Sequence, residues 1–172
     1  MSIDNLPSFS IVTISLNQFQ FLKDCVSSVL TQRNLDLELI VVDAGSTDGS
    51  REWLNQVKNR DDRLKTIFES DSGPSDGLNK GLKFATKEIF AYINSDDYYL
   101  PRALEQVGKV FQSESQIDIV YGNGFKLIDE KLHPILVDKF HPVKYVFGCG
   151  NFLQQSIFYR LQSLHDKEII FN

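Results

Sequence analysis

The stretch Ile89-Phe90-Ala91-Tyr92-Ile93-Asn94-Ser95-Asp96-Asp97 places an apolar run directly before two adjacent carboxylates. The run has the length of a buried strand, so the two acids lie at its carboxyl end. Neighbouring carboxylates in that position are unfavourable unless a cation or a ligand satisfies them. A hard divalent cation such as Mg²⁺ or Mn²⁺ can be held by one or two carboxylates together with substrate phosphates. We therefore predict that Asp96 and Asp97 bind a metal and a phosphorylated ligand, since helix capping explains only one acid.

Outward from this stretch, apolar runs alternate with helical patterns along the chain. Runs rich in β-branched residues predict strands at 9–14, 37–43, 64–69, 89–93 and 117–121. Apolar residues at helical spacing predict a helix after each of the first four strands. Because the strands are continuously apolar and alternate with helices, we predict an α/β fold with a Rossmann-like, mainly parallel sheet and helices on both faces. Ligands of such sheets bind outside the carboxyl ends of the strands.

Polar residues follow the first two strands at this predicted ligand-binding edge. The first strand runs into Ser15-Leu16-Asn17, and the second ends in Asp43-Ala44-Gly45-Ser46. A carboxylate such as Asp43 can accept hydrogen bonds from a base or a ribose. The alternative is a turn-forming aspartate that bonds its own backbone.

Two further pairs of polar residues are candidates for ligand contact. Asp76 and Asn79 lie three residues apart at the predicted start of the third helix, so both can face the cleft. A helix start also attracts anions. Gln154 and Gln155 precede a short apolar run and can hydrogen-bond sugar hydroxyls, although a polar edge strand is an equally simple interpretation.

The overall composition limits the classes of function. The net charge of −5 and the pI of about 5.2 argue against nucleic acid as a partner, because such proteins carry a basic face. Two cysteines, Cys25 and Cys149, are too few for a disulfide framework and indicate a reducing, cytoplasmic compartment. The sequence shows no leader-like N-terminus and no apolar run of the roughly 20 residues that span a bilayer. Peripheral association with the inner face of a membrane stays open.

Taken together, these residues resemble family 2 glycosyltransferases of the GT-A fold. The matching segments are 10–17, 38–49, 72–81 and 93–97, and the likeness covers essentially the whole chain. The resemblance implies an inverting glycosyltransferase that moves a sugar from a nucleotide-sugar donor to a saccharide or a lipid-linked acceptor. It also implies assistance by Mg²⁺ or Mn²⁺ and a role in surface polysaccharide biosynthesis.

The same resemblance implies roles for individual residues. The donor-binding residues are Ser15, Leu16, Asn17, Asp43, Gly45, Ser46, Asp76, Asn79 and Asp96. Within this set, Ser15 and Leu16 line the nucleobase pocket and Asp43 contacts the base. Asp97, with Asp96, binds the metal, and Asn94 replaces the first acid of the family's Asp-x-Asp-type motif. Gln154 and Gln155 recognise the acceptor.

The resemblance further predicts how the chain is organised. Residues 1–172 form a single GT-A domain, with a nucleotide-sugar-binding part at about 8–122 and an acceptor-side part at about 123–172. In the family, the catalytic base follows a Gly-x-Phe-Asp/Asn segment, and this sequence stops at Phe171-Asn172. We therefore expect an acceptor part that is cut short at its C-terminus, an unidentified base and little turnover. We also expect pairing into a homodimer through apolar surface near Ile169-Ile170-Phe171.

Two other classes of function are alternatives to an active transferase. The first is a binding module that holds a nucleotide sugar without transferring it. Such a module would result if the catalytic base were missing. The second is a nucleotidyltransferase, which normally has a glycine-rich, basic loop after the first strand. Residues 15–20 contain neither glycine nor a basic residue, so the sequence disfavours this second class.

Overall fold

A computed structural model describes residues 6–140 and 152–172, so Cys149 lies outside the described residues. The strands are β1 (Phe9–Ser15), β2 (Leu37–Asp43), β3 (Leu64–Phe68), β4 (Ile89–Tyr92), β5 (Ile119–Tyr121), β6 (Gly124–Ile128), β7 (Lys131–Ile135) and β8 (Ile157–Arg160). The helices are α1 (Phe19–Leu30), α2 (Ser50–Lys58), α3 (Pro74–Lys83), α4 (Ala103–Ser113) and α5 (Leu161–Asp166).

The central sheet has six strands in the order β3-β2-β1-β4-β8-β5, and β6 and β7 form a separate hairpin. Parallel pairing joins β3 to β2, β2 to β1 and β1 to β4. Strand β8 pairs in antiparallel fashion with both β4 and β5, so it alone opposes the direction of the sheet. This topology confirms the predicted mainly parallel α/β fold and adds one antiparallel strand that the sequence pattern did not reveal.

Helices cover both faces of the sheet, as predicted. One face packs against buried residues of α1, α2 and α4, and the other packs against buried residues of α3 and α5. All seven residues of β2 are buried because helices lie above and below this strand. Its side chains therefore have no solvent-facing side, which explains the continuous apolar run. Along residues 6–140 and 152–172, no helix has the length and apolarity needed to cross a membrane.

The buried carboxylate of Glu38 links neighbouring strands at the edge of the sheet opposite the candidate site. Glu38, the second residue of β2, accepts hydrogen bonds from the Ser10 hydroxyl at 2.6 Å and from the Thr86 amide at 2.8 Å. Lys65 of β3 forms an ion pair with the other carboxylate oxygen. Burial raises the pKa of Glu38, but Lys65, Ser10 and Thr86 outweigh burial and hold the pKa below its ordinary value of 4.5.

We expect Glu38→Gln to lower the free energy of unfolding by about 1–2 kcal/mol at pH 7, because the charge-assisted hydrogen bonds weaken. A depressed folded-state pKa stabilises the protein above the unfolded-state pKa, and this contribution is lost as pH falls through the folded-state value. The difference between Glu38→Gln and the unsubstituted protein should therefore shrink below pH 4.5. Urea titrations at several pH values measure it, with exposed Glu69→Gln as the control. An equal difference at all pH values would contradict the assignment.

Candidate active site

The loops that follow β1 and β2 form one continuous polar surface. The Ala44 amide donates to the Ser15 carbonyl at 3.0 Å, and the Asn17 amide donates to the Ser46 hydroxyl at 2.8 Å. In return, the Asn17 side-chain oxygen accepts from the Thr47 amide at 2.9 Å. Asn17 has a φ of 54°, a left-handed conformation that asparagine adopts more readily than most residues. These bonds hold the two strand tips together, as the sequence predicted for this edge.

Asp43 organises the loop after β2 from a fully buried position. Its Oδ1 accepts hydrogen bonds from the Gly45 and Ser46 amides at 3.1 and 2.9 Å and from Arg51 Nε at 2.6 Å. Burial raises the pKa of Asp43, but Ser46, Arg51 and Gly45 outweigh burial and hold the pKa below its ordinary value of 3.8. Because Asp43 has no exposed surface, a nucleobase reaches it only if a neighbouring side chain moves.

Ser15 and Asp43 carry buried polar atoms that none of the described residues satisfies. These atoms are Ser15 Oγ and Asp43 Oδ2. The two residues are register partners of β1 and β2, so their side chains lie on the same face of the sheet. Buried polar atoms normally have hydrogen-bond partners, and a ligand group or an ordered water can supply them here. Leu16 lies beside them with about half of its surface exposed.

The start of α3 adds one partly exposed carboxylate to the same edge. Asp76 accepts a hydrogen bond from the Ser72 amide at 3.0 Å and forms an ion pair with Lys80. The hydrogen bond from Ser72 lowers the pKa of Asp76, and Lys80 lowers it further. The side chain of Asn79 does not have the predicted orientation towards the cleft. Its side-chain amide donates to the Phe171 carbonyl at 2.8 Å and accepts from the Phe171 amide at 2.9 Å, so it binds the chain itself rather than facing the cleft.

The predicted metal ligands lie at the tip of β4. Asp96 is exposed, whereas Asp97 is half-buried and accepts a hydrogen bond from the Asn94 side chain at 3.2 Å. Burial raises the pKa of Asp97 and the neighbouring Asp96 charge raises it further, while the Asn94 hydrogen bond opposes both. No cluster of three or more metal-binding side chains is present within 6–140 and 152–172. Two carboxylates nevertheless fit Mg²⁺ or Mn²⁺, which take their remaining ligands from water and phosphate.

A groove of about 1000 Å³ opens onto this carboxylate pair. Besides Asp96 and Asp97, its polar lining includes Asp24 of α1 and Gln155. Gln155 belongs to a short 3-10 helix at Gln154–Ser156 that precedes β8, rather than to the start of the strand. The groove therefore joins the predicted metal ligands to one of the two predicted acceptor residues. Gln154 is exposed and is not part of the groove lining.

Residues 10–166 match the family model described as glycosyl transferase family 2. The chain belongs to this family. It is 37% identical over 101 residues to the putative teichuronic acid biosynthesis glycosyltransferase TuaG of Bacillus subtilis, which covers 58% of this chain and 40% of that protein. The chain spans less than half the length of the curated relatives that it matches.

Two solved structures show that this family 2 glycosyltransferase has the GT-A fold. S. aureus TarS 1–349 in complex with UDP-GlcNAc superposes with a TM-score of 0.78 at 21% identity, covering 96% of this chain and 48% of that chain. The mannosyltransferase PcManGT from Pyrobaculum calidifontis, in complex with GDP-Man and Mn²⁺, superposes with a TM-score of 0.73 at 16% identity. It covers 96% of this chain and 48% of that chain. At these identities the likeness concerns the fold alone.

The groove of this glycosyltransferase includes one acidic residue, Asp24, that the sequence pattern did not indicate. Asp24 lies on an exposed part of α1, three residues after Phe21, and both side chains line the groove. No local pattern distinguishes Asp24 from an ordinary solvated helix residue. Its position becomes informative only because Asp96 and Asp97, more than 70 residues later in the sequence, line the same groove.

Proposed function

We propose that this chain binds a nucleotide-sugar donor and transfers its sugar, with inversion, to a saccharide or a lipid-linked acceptor of surface polysaccharide biosynthesis. One observation carries the proposal. In a family 2 glycosyltransferase, the half-buried Asp97 carboxylate lies beside Asp96 at the tip of β4, with the Asn94 amide as its hydrogen-bond donor. A carboxylate in this position is well suited to bind a cation together with a diphosphate.

The proposed cofactor is Mg²⁺ or Mn²⁺, held by Asp97 and Asp96. When bound, the cation stabilises the negative charge that develops on the departing diphosphate oxygens. The Mn²⁺ complex of the structurally similar mannosyltransferase supports this choice of cofactor. The Asn94 side chain holds the Asp97 carboxylate in place, and Asp96 adds a second negative charge on the exposed side.

The proposed donor site lies in the part of the chain at about 8–122. Ser15, Leu16, Asn17, Gly45 and Ser46 would surround the nucleoside, and Asp76 would lie near the donor sugar or diphosphate. Support comes from the unsatisfied Ser15 hydroxyl and from the bonds that join the two loops. The buried Asp43 would shape this pocket through its bonds to Gly45 and Ser46.

The proposed acceptor site lies in the part at about 123–172 and includes Gln155 on the groove. The acceptor oxygen would bond to the anomeric carbon as the bond from that carbon to the diphosphate oxygen breaks. The diphosphate would leave with the electron pair, and a base that is still unassigned would take the hydroxyl proton. We place the protein in the cytoplasm, at the inner face of the membrane when the acceptor is lipid-linked. A homodimer would use the exposed Ile169 and Ile170.

Calorimetric titration with UDP-GlcNAc and with GDP-mannose, each with and without Mn²⁺, tests the proposal. We expect metal-dependent binding of one of them, followed by hydrolysis or transfer when acceptors are added. Binding without turnover would instead favour a nucleotide-sugar-binding module. The absence of binding to these two and to a wider panel of nucleotide sugars would contradict both functions.

A further inference from the structure

The groove beside Asp96 and Asp97 is apolar over most of its length. Helix α4 carries two apolar stripes, of which one, containing Leu104 and Phe111, is buried in the core. The other stripe contains Ala103, Val107 and Val110 at i, i+4 and i+7, and it lines the groove. Ala103 and Val107 also pack against the buried core cluster, and Gln106 is the polar residue of α4 in the same lining. Val110 is nevertheless 41% exposed, which leaves an apolar side chain on the groove wall.

The β6–β7 hairpin forms another wall of the groove, mainly through apolar residues of one of its faces. Leu127 pairs with Leu132 across the hairpin, so both side chains lie on one face with Phe125, and all three line the groove. Their exposed fractions are between 48% and 53%. From the other face, Lys126 and Ile135 also reach the groove lining, so this wall has one cationic side chain beside its apolar surface. We call the space between Val107 and Val110 of α4 and Phe125, Leu127 and Leu132 the α4–hairpin groove.

The position of the α4–hairpin groove, next to Asp96 and Asp97, indicates which molecule binds in it. The groove is continuous with the Asp96 and Asp97 pair, where the proposed function places the donor diphosphate and hence the reacting sugar carbon. An acceptor must bring its hydroxyl to that carbon, so it enters through this space. Gln155 lies on the same lining, and its side-chain amide can hydrogen-bond the polar end of such a molecule. The apolar walls then face the part of the acceptor that lies farther from the reacting hydroxyl.

We propose that the acceptor is an amphiphile whose apolar portion occupies the α4–hairpin groove, so that this enzyme glycosylates a lipid-linked rather than a free saccharide. This inference rests on the proposed function and selects between its two acceptor classes. A free saccharide carries hydroxyls around its whole ring and would leave many of them without partners against Val107, Val110, Leu127 and Leu132. An alkyl or prenyl chain buries the same apolar surface favourably.

Binding of n-alkyl glucosides of increasing chain length tests the inference. Methyl, hexyl and octyl glucoside are titrated below their micelle-forming concentrations, with Mn²⁺ and UDP or GDP present. We expect the affinity to rise about three- to fourfold for each methylene that enters the groove. Affinity that is independent of chain length would overturn the inference. Nucleotide binding is measured in the same samples, so a failure of the proposed donor site is seen separately.

Leu127→Asp and Leu136→Asp form a matched pair for the same experiment. Both leucines are exposed, at 53% and 70%, so neither substitution empties the core, but only Leu127 lines the groove. We expect Leu127→Asp to weaken octyl glucoside binding about tenfold and to leave nucleotide binding unchanged, while Leu136→Asp changes neither. Equal effects of the two substitutions would contradict the inference. So would a dimer in sedimentation that Leu127→Asp dissociates, because a second copy would then occupy the groove.

Discussion

Replacing Asp97 with alanine is expected to abolish metal-dependent binding of nucleoside diphosphates while the protein stays folded. Removing a side chain that only supports a metal ligand typically weakens metal binding about 10–100-fold, so removal of a proposed ligand should weaken it by at least about 100-fold. Asp97 provides the half-buried carboxylate of the pair. The exposed Asp96 lies at a different position and cannot act as a substitute ligand there. Calorimetric titration of UDP or GDP in the presence and absence of Mn²⁺ measures the loss.

Two companion variants make this result specific. Asp97→Asn keeps the shape of the side chain and removes its charge. This change removes the cost of burying a charged carboxylate and the repulsion between Asp97 and Asp96. We expect Asp97→Asn to lose metal-dependent binding as well, with a melting temperature equal to or above that of the unsubstituted protein. Asp62→Ala removes an exposed loop carboxylate and should change neither property. Unchanged nucleotide affinity in Asp97→Ala would remove Asp97 from the proposed site.

Gly81→Ala is expected to lower the free energy of unfolding by about 2–3 kcal/mol. Gly81 is a buried residue of α3 that faces Val12 of β1 and Val42 of β2. A Cβ atom there would lie 2.4 Å from Val12 Cγ1 and 3.3 Å from Val42 Cγ2, so α3 would have to move away from β1 and β2. Urea denaturation with and without the substitution measures the difference.

Gly108→Ala provides a control in which the same substitution should stabilise the protein. Gly108 is also in the middle of a helix, but a Cβ there would lie 3.5 Å from Leu6 Cδ2 and Phe9 Cζ, which is ordinary contact distance. Alanine is favoured over glycine within helices by about 0.5–1 kcal/mol, so stability should rise by about that amount. If Gly81→Ala were as stable as Gly108→Ala, the close packing of α3 on the sheet would be incorrect.

Part of the candidate site could be predicted from sequence because it depends on local patterns. The apolar run before Asp96 and Asp97 predicts a strand, and a parallel sheet brings the carboxyl ends of its strands to one edge. The same reason predicts that the loops containing Ser15 and Ser46 lie beside each other, and the hydrogen bond from Asn17 to Ser46 joins these two loops. The direction of a single side chain is less predictable, as Asp43 shows. Whether a strand-end carboxylate faces a ligand or its own loop depends on a contact such as that from Arg51.

The sequence by itself determined the order of strands and helices up to residue 121, the mainly parallel sheet and the edge at which acids collect. These features depend on hydrophobic periodicity and chain direction, which are local properties. Only the tertiary structure decided that β8 lies between β4 and β5, that Asn79 binds Phe171 and that Asp24 and Gln155 share a groove with Asp96 and Asp97. These contacts join residues distant in sequence, and they form because packing of the whole sheet stabilises one set of partners. A short sequence window carries no signal for such a choice.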